Sequence, residues 1–273
     1  MKSKGLKFFQ VFSILFLSYQ SVFGQISDLR GGGAHNIGTV RFQNLSTGLY
    51  GIYGNFASTS LSNQNSYADL SAIFRYHDID FGEYSFAYVY RKNYSSFGAT
   101  LVQFGAEDYF ERKIQLSYAR KMFSNGGLGL NFNLMNIQNA ELGTTFTPTI
   151  DVSFYSSINN KLDFASSVRN VLKTKNDIIH YPPILAIALF YKISKVLQVG
   201  IEGVQIIDRP FDLKLLFEYN PSNQINFHLG LDILNQNIGL GFAYQLGGYR
   251  LGLSTGQSNR LPMSSGVSFG YLK

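Results

Sequence analysis

Beyond residue 66 apolar and polar side chains alternate one by one, in segments of about ten residues broken by turn-forming Asn, Gly, Ser and Pro. Ile114, Leu116 and Tyr118 alternate with Gln115, Ser117 and Ala119, and Leu128, Leu130, Phe132 and Leu134 with Gly129, Asn131 and Asn133. Ile225, Phe227, Leu229 and Leu231 stand against Asn226, His228, Gly230 and Asp232, and Ile238, Leu240, Phe242 and Tyr244 against Gly239, Gly241, Ala243 and Gln245. Successive side chains of a strand point to opposite faces, so each segment has one greasy face and one small or polar face. A helix does not keep that phase.

The same reading predicts fourteen strands, near 67–77, 83–92, 96–104, 111–121, 127–137, 147–157, 161–170, 184–193, 195–206, 212–220, 224–234, 237–246, 249–257 and 264–272. Connections after even strands are tight, as at Asn93-Tyr94, Asn159-Asn160 and Gly247-Gly248. Those after odd strands are mostly longer, including 105–110, 138–146, 171–183 and 258–263. Short turns on one rim and longer loops on the other are the outer-membrane pattern, with the short set and both barrel ends on the periplasmic side. The predicted fold is all-β: a transmembrane antiparallel up-and-down barrel over 67–273, set in the outer membrane of a Gram-negative-type bacterium. Its polar face points inward, which makes Asn131, Asn133, Asp163, Arg169, Glu202, Lys214, Glu218, Asn226, His228 and Asp232 the candidates for a lumenal hydrogen-bond network. Tyr84, Tyr90, Tyr94, Tyr109 and Tyr191, near strand ends, are expected in interfacial girdles.

Residues 25–66 lack the alternation. They are Gly-rich at Gly31-Gly32-Gly33 and Asn/Ser-rich over 55–66. A barrel of this size has to fill its lumen, so this stretch is expected to act as a plug, with Gly31, Gly32, Gly33, His35, Asn36 and Gly38 as its candidate residues. The competing reading is a loosely ordered periplasmic tail. Residues 1–24 read as a cleaved signal peptide: lysines at 2, 4 and 7, an apolar run from Phe8 to Tyr19, and Val22-Phe23-Gly24 as the cleavage site. That run falls short of the ~20 residues a membrane-spanning helix needs.

Composition narrows the chemistry. A mean hydropathy of −0.01 with 45% hydrophobic residues is too polar for a helical membrane protein but suits a wall in which every second side chain meets lipid. With no cysteine, disulfides, thiolate metal sites and a lipid-anchored cysteine are excluded. The formal charge of +6 falls to about +3 once the three leader lysines are removed, and the remaining basic residues are scattered, so no nucleic-acid partner is expected.

His35, His77, His180 and His228 have no metal-binding spacing, and no cofactor is expected. Gly252-Leu253-Ser254-Thr255-Gly256 matches a hydrolase elbow in letters only, because it continues an alternating strand where the motif requires a strand-to-helix turn. His228 with Asn226 and Asp232 on one strand face is the residual catalytic candidate, outweighed by a solvated interior network; the chain is expected to be non-enzymatic.

Three stretches resemble a known family. They are Gly31–Gly38, then Phe97-Gly98-Ala99-Thr100 through Phe104-Gly105 with Tyr109–Arg120, and last Pro183–Tyr191 with Leu197–Glu202 and Phe217-Glu218-Tyr219. Together they are similar to the FadL-like barrels, and specifically to the PorV/PorQ family associated with type IX secretion. Gly54-Asn55-Phe56-Ala57-Ser58 stands where that family has an Asn-Pro-Ala-Gly-like hatch segment, here without the proline. The resemblance implies a fourteen-strand barrel that acts as an accessory or scaffold of a type IX secretion complex, with outer-membrane lipid and other secretion proteins, including a larger translocon barrel, as partners. The alternative is a FadL-like transporter of hydrophobic small molecules, with a hydrophobic ligand. The brief loops, such as Leu234-Asn235-Gln236-Asn237, favour the scaffold at this stage.

Overall fold

A backbone that crosses lipid has to meet every N–H and C=O from within the protein, and a sheet achieves this only by closing on itself. The computed structural model describes residues 29–44, 48–75, 82–106, 109–140, 143–172, 181–207, 209–258 and 261–273, and its sheet closes in this way. The strands are β1 (Ser66–Phe74), β2 (Gly82–Lys92), β3 (Ser95–Ala106), β4 (Tyr109–Phe123), β5 (Gly126–Asn139), β6 (Gly143–Ser157) and β7 (Leu162–Arg169). They continue as β8 (Ile184–Lys192), β9 (Leu197–Ile206), β10 (Asp212–Tyr219), β11 (Ile225–Asp232), β12 (Asn237–Leu246), β13 (Tyr249–Ser258) and β14 (Leu261–Leu272). Each pairs antiparallel with its chain neighbours, and β14 returns to β1 with Tyr67 opposite Leu272 and Phe74 opposite Ser265. The Lys273 carbonyl accepts the amides of Asn65 and Ser66 at 2.8 and 3.0 Å and ties off that seam. The leader expected at 1–24, together with His77 and His180, lies outside the described residues.

The strands fall where the alternation placed them, except that connections of the longer rim are shorter than expected: β13 and β14 leave only 259–260 of 258–263 between them. β3 to β6 run through 105–110 and 138–146, which read as loops from the sequence, and leave only 107–108 and 140–142 between strands. The ladder continues there with Gly105 opposite Phe110 and Gln138 opposite Thr144. At outward Gln138 and Thr144 the apolar half of the alternation has stopped while the pairing goes on. β4 and β6 reach 15 residues, against 8 for β7, β10 and β11. Crossing a bilayer takes about 9–11 residues of tilted strand, so β4 to β6 project beyond it.

On the outer face Tyr84, Tyr90, Tyr94 and Tyr191 are exposed near strand ends. Tyr109 is a correction to the girdle: the phase of β4 puts it on the same side as Glu111, and it packs inside against a cluster containing Val102 and Met135.

Nearly all of the described residues between Leu29 and Ser62 are buried inside the barrel. They form a short helix, α1 (Gly33–Gly38), and two tight helical turns over Leu49–Tyr53 and Phe56–Leu61. α1 lies on the inner face of β11 to β14 and β1, and the second turn on β4 to β6. So close an approach needs a wall without side chains. A Cβ at Gly239 would stand 2.2 Å from the Ile37 carbonyl oxygen, one at Gly266 2.9 Å from the Ala34 amide nitrogen, and one at Gly129 2.6 Å from that of Ala57. Gly31, Gly32 and Gly33 have φ of 78°, 86° and 42°, a left-handed run in which side chains are disfavoured, and they pass against Ser85 and Ser71. On the outer face of this same stretch of wall lies a hollow of about 1030 Å³ that spans β13, β14 and β1 to β6.

Replacing Gly266 with Val is expected to displace α1 while the wall stays closed. Protease sensitivity of residues 29–62 should rise with the folded, heat-modifiable gel mobility of the barrel unchanged; a segment as protected as in the native chain would show that the close approach is not limiting.

Candidate functional site

The inner segment is held by carboxylates that the wall points inward. Glu202 accepts the amides of Gln43 (2.8 Å) and Asn44 (2.7 Å) and the Asn44 side-chain amide at 3.0 Å. Glu83 accepts the Gly31 amide at 2.9 Å and pairs with Arg75 at 2.6 Å and Arg41 at 3.7 Å. Asp69 accepts the Tyr53 hydroxyl at 2.7 Å, and Gln115 donates to the Ile52 carbonyl at 2.9 Å. From the opposite sign, the Lys214 ammonium donates to the carbonyls of Val40 and Arg41 at 3.1 and 3.2 Å. Hydrogen bonds to charged groups are worth about 1.5–3 kcal/mol each, so the wall holds the segment by charge as well as by shape.

The inward candidates divide by height in the barrel. Asn131, Asn133 and Arg169 gather on Asp151: Asn133 donates to it at 2.9 Å, Asn131 at 3.5 Å, and Arg169 lies at 4.0 Å. Asp163 pairs with Lys192 at 2.8 Å near the other rim. Asn226 accepts from Arg250 at 3.4 Å and lies 3.1 Å from the His228 Nδ1, while Glu218 stands opposite His228 across the β10–β11 pair. Asp232 is taken up by the 233–236 turn, accepting the Asn235 amide at 3.0 Å and the Asn237 side chain at 3.1 Å. It therefore does not join His228 in a catalytic arrangement. Ser254, the serine of the elbow-like motif, sits within β13 against Gly266, with no turn to present it.

Asn36 folds back to the Gly31 carbonyl, Gly38 packs on His228, and His35 stacks on Tyr50 with ring centroids 4.1 Å apart. The His35 ring also faces His228 at 5.1 Å, and the Arg250 guanidinium covers the other partner, Tyr50, at 5.1 Å. Neither His35 ring nitrogen reaches a hydrogen-bond partner among the described residues. Burial first, then the charges of His228 and Arg250, holds this imidazole well below the usual histidine range.

Gln115 was read only as a polar position of its strand, and Glu83, Asp69 and Asp151 went unremarked in the sequence, although each lies at an inward position of the alternation. The same holds for an apolar cluster at the rim of the longer connections, where Leu29, Val102, Met135, Ile137 and Tyr181 are buried together with Phe104 and Tyr109 against them. Glu111 stands between Phe104 and Ile137 and Lys113 between Val102 and Met135, and below them the inward positions of these strands are polar, with Gln115, Asn131 and Asn133. The wall thus carries an apolar cluster interleaved with two charges toward the rim of the longer connections, with Leu29 of the inner segment packed into it.

A closed fourteen-strand barrel with an apolar outer belt and a chain segment folded inside it defines an outer-membrane protein of the FadL-like fold. The chain superposes on the monoaromatic hydrocarbon channel CymD with a TM-score of 0.68 at 11% identity, over 90% of this chain and 98% of that one. The Pseudomonas putida toluene transporter TodX matches at 0.65 and 11%, over 90% and 99%, and a Pseudomonas aeruginosa FadL homologue at 0.62 and 8%, over 87% and 96%. At these identities the likeness is one of fold. No family model and no curated protein matches the chain.

Glu202→Gln is expected to weaken docking of the inner segment by about 2 kcal/mol, since the amide keeps the shape but loses the charge that three donors share. Planar-bilayer recordings should show more frequent or larger open events than in the native barrel, and identical traces would remove Glu202 as an anchor. A second expectation concerns pH. The undocked segment protonates His35 near the ordinary value of about 6.5, and the docked one only at lower pH. Docking is therefore fully present above about pH 6.5 and weakens as pH falls below it. Conductance should rise on acidification through that window, and His35→Phe, which keeps the stacking, should flatten the profile.

Proposed function

We propose that this protein is an outer-membrane uptake channel for small hydrophobic molecules, with residues 29–62 as its hatch. One observation carries the reading: toward the outer rim Leu29, Val102, Met135, Ile137 and Tyr181 gather in an inward apolar cluster, interleaved only with Glu111 and Lys113 on β4, where the middle of the wall is polar. A water-filled pore has no use for such a patch, whereas a hydrophobe leaving water gains about 25 cal/mol per Å² of apolar surface it covers there. The channels CymD and TodX, whose fold the chain shares over nearly their whole length, support the same direction. Brief loops were the ground for preferring a type IX scaffold. The projecting β4 to β6 raise part of the mouth without loops, so that ground weakens, and the comparisons offer nothing for a secretion partner.

The test is uptake of radiolabelled toluene and of a medium-chain fatty acid by cells that express the barrel in place of their own hydrophobe channels. Met135→Asp with Ile137→Asp is expected to cut uptake about tenfold or more while the barrel still folds, since each buried carboxylate replaces apolar contact surface. Uptake equal to that of cells without the barrel, for the native protein, would sink the channel reading.

A further inference from the structure

The hollow on the lipid-facing wall has a layered chemistry set by strand register. Tyr84, Gln103, Arg112, Asn136 and Phe146 are successive register partners on β2 to β6, so their outward side chains form one row across the wall. The next outward row toward the membrane centre is wholly apolar, with Phe86, Leu101, Ile114 and Leu134. Both rows line the hollow. The polar trio therefore sits on the side of the longer connections, bracketed by two aromatic rings, directly above greasy side chains.

Arg112 is fixed in this row. Its Nε donates to the Gln103 Oε1 at 3.1 Å and its guanidinium lies over the Phe110 ring at 5.0 Å. Among the described residues no acidic side chain lines the hollow. An ordered cation on a lipid-facing wall needs an anion from the membrane, and the interface is where lipid phosphates lie. A second copy of the chain is a poor occupant, because a two-fold contact through this face would bring Arg112 against Arg112. We propose that the hollow binds one phosphate-bearing lipid of the outer leaflet, its phosphate on the Arg112 guanidinium with Asn136 beside it, and its acyl chains laid over Phe86, Leu101, Ile114 and Leu134. Behind the hollow the inner face carries Ser71, Ser85, Gly252 and Ser268 on β1, β2, β13 and β14, and Val102 and Lys113 on β3 and β4.

The test is native mass spectrometry of the full barrel in a neutral detergent, titrated with dipalmitoyl phosphatidic acid or with dipalmitoylglycerol, which has the same chains and no phosphate. The native chain should saturate at one phosphatidate and prefer it about tenfold or more over the diacylglycerol, the scale of a charge-assisted contact. Arg112→Gln should erase the preference, whereas Arg120→Gln, an exposed arginine on the same face at the other end of β4, should keep it. Leu101→Asn should weaken both probes. Heat-modifiable mobility checks that each variant is folded. Equal retention of the two lipids by the native chain, uptake that does not saturate, or a preference that survives Arg112→Gln would each overturn the proposal.

Discussion

The hydrogen-bond ladder between β14 and β1 is the contact on which the rest depends. Thirteen hairpin pairings leave two open edges, and an open edge in lipid strands a row of N–H and C=O groups at several kcal/mol each. Eight register pairs from Tyr67 opposite Leu272 to Phe74 opposite Ser265 remove both edges at once. Closure then fixes which alternate side chains face inward, and hence that Glu83, Glu202, Asp69 and Lys214 share an enclosed space with residues 29–62. The inner segment leads directly into this seam, because the backbone of Asn65 and Ser66 is bonded to Lys273.

Inside, shape and charge have separate tasks. Glycine and serine on β1, β2 and β11 to β14 let α1 rest almost on the wall backbone, which fixes depth but offers few specific partners. Glu202, Glu83 and Lys214 supply the partners, gripping amides and carbonyls at the bends of the segment where no helix or strand satisfies them. A segment held in this manner is well fixed yet separable: apart from the Asn55 side chain, which donates to the carbonyls of Phe154 and Ser166, its contacts described above are with side chains and small residues of the wall.

The wall was legible in the sequence because period two is a direct projection of a strand onto two media. Ile114 to Tyr118 and Ile238 to Tyr244 show it without any knowledge of neighbours. Legibility failed where one medium ended: past the lipid, outward Gln138 and Thr144 are as polar as their inward neighbours, so the tops of β5 and β6 read as loop. Tyr109 was misplaced for the same reason, since its phase is set by Glu111 and Lys113 and its aromatic ring alone points to a girdle. The contents of the lumen were only half legible. The inward glycines at 239, 241 and 266 were visible as small positions, but that they are the imprint of α1 follows from the fold of 29–62, a stretch with no periodicity to read. The apolar cluster was hidden because Val102 on β3 meets Met135 and Ile137 on β5 only when register and curvature are known.

Unequal strand length has a consequence for the membrane around the protein. In a ring of fourteen, β4 faces β11 across the lumen, so a strand of 15 residues stands opposite one of 8. At about 3.3 Å of rise per residue, the rim slopes by roughly 20 Å of strand from one side to the other. The low side offers barely enough apolar height for a bilayer, and lipid beside β10 and β11 has to thin or the barrel has to lean. Either way the surrounding bilayer is uneven, and the position of the barrel among neighbouring membrane proteins follows from the height of its wall before any specific contact is made.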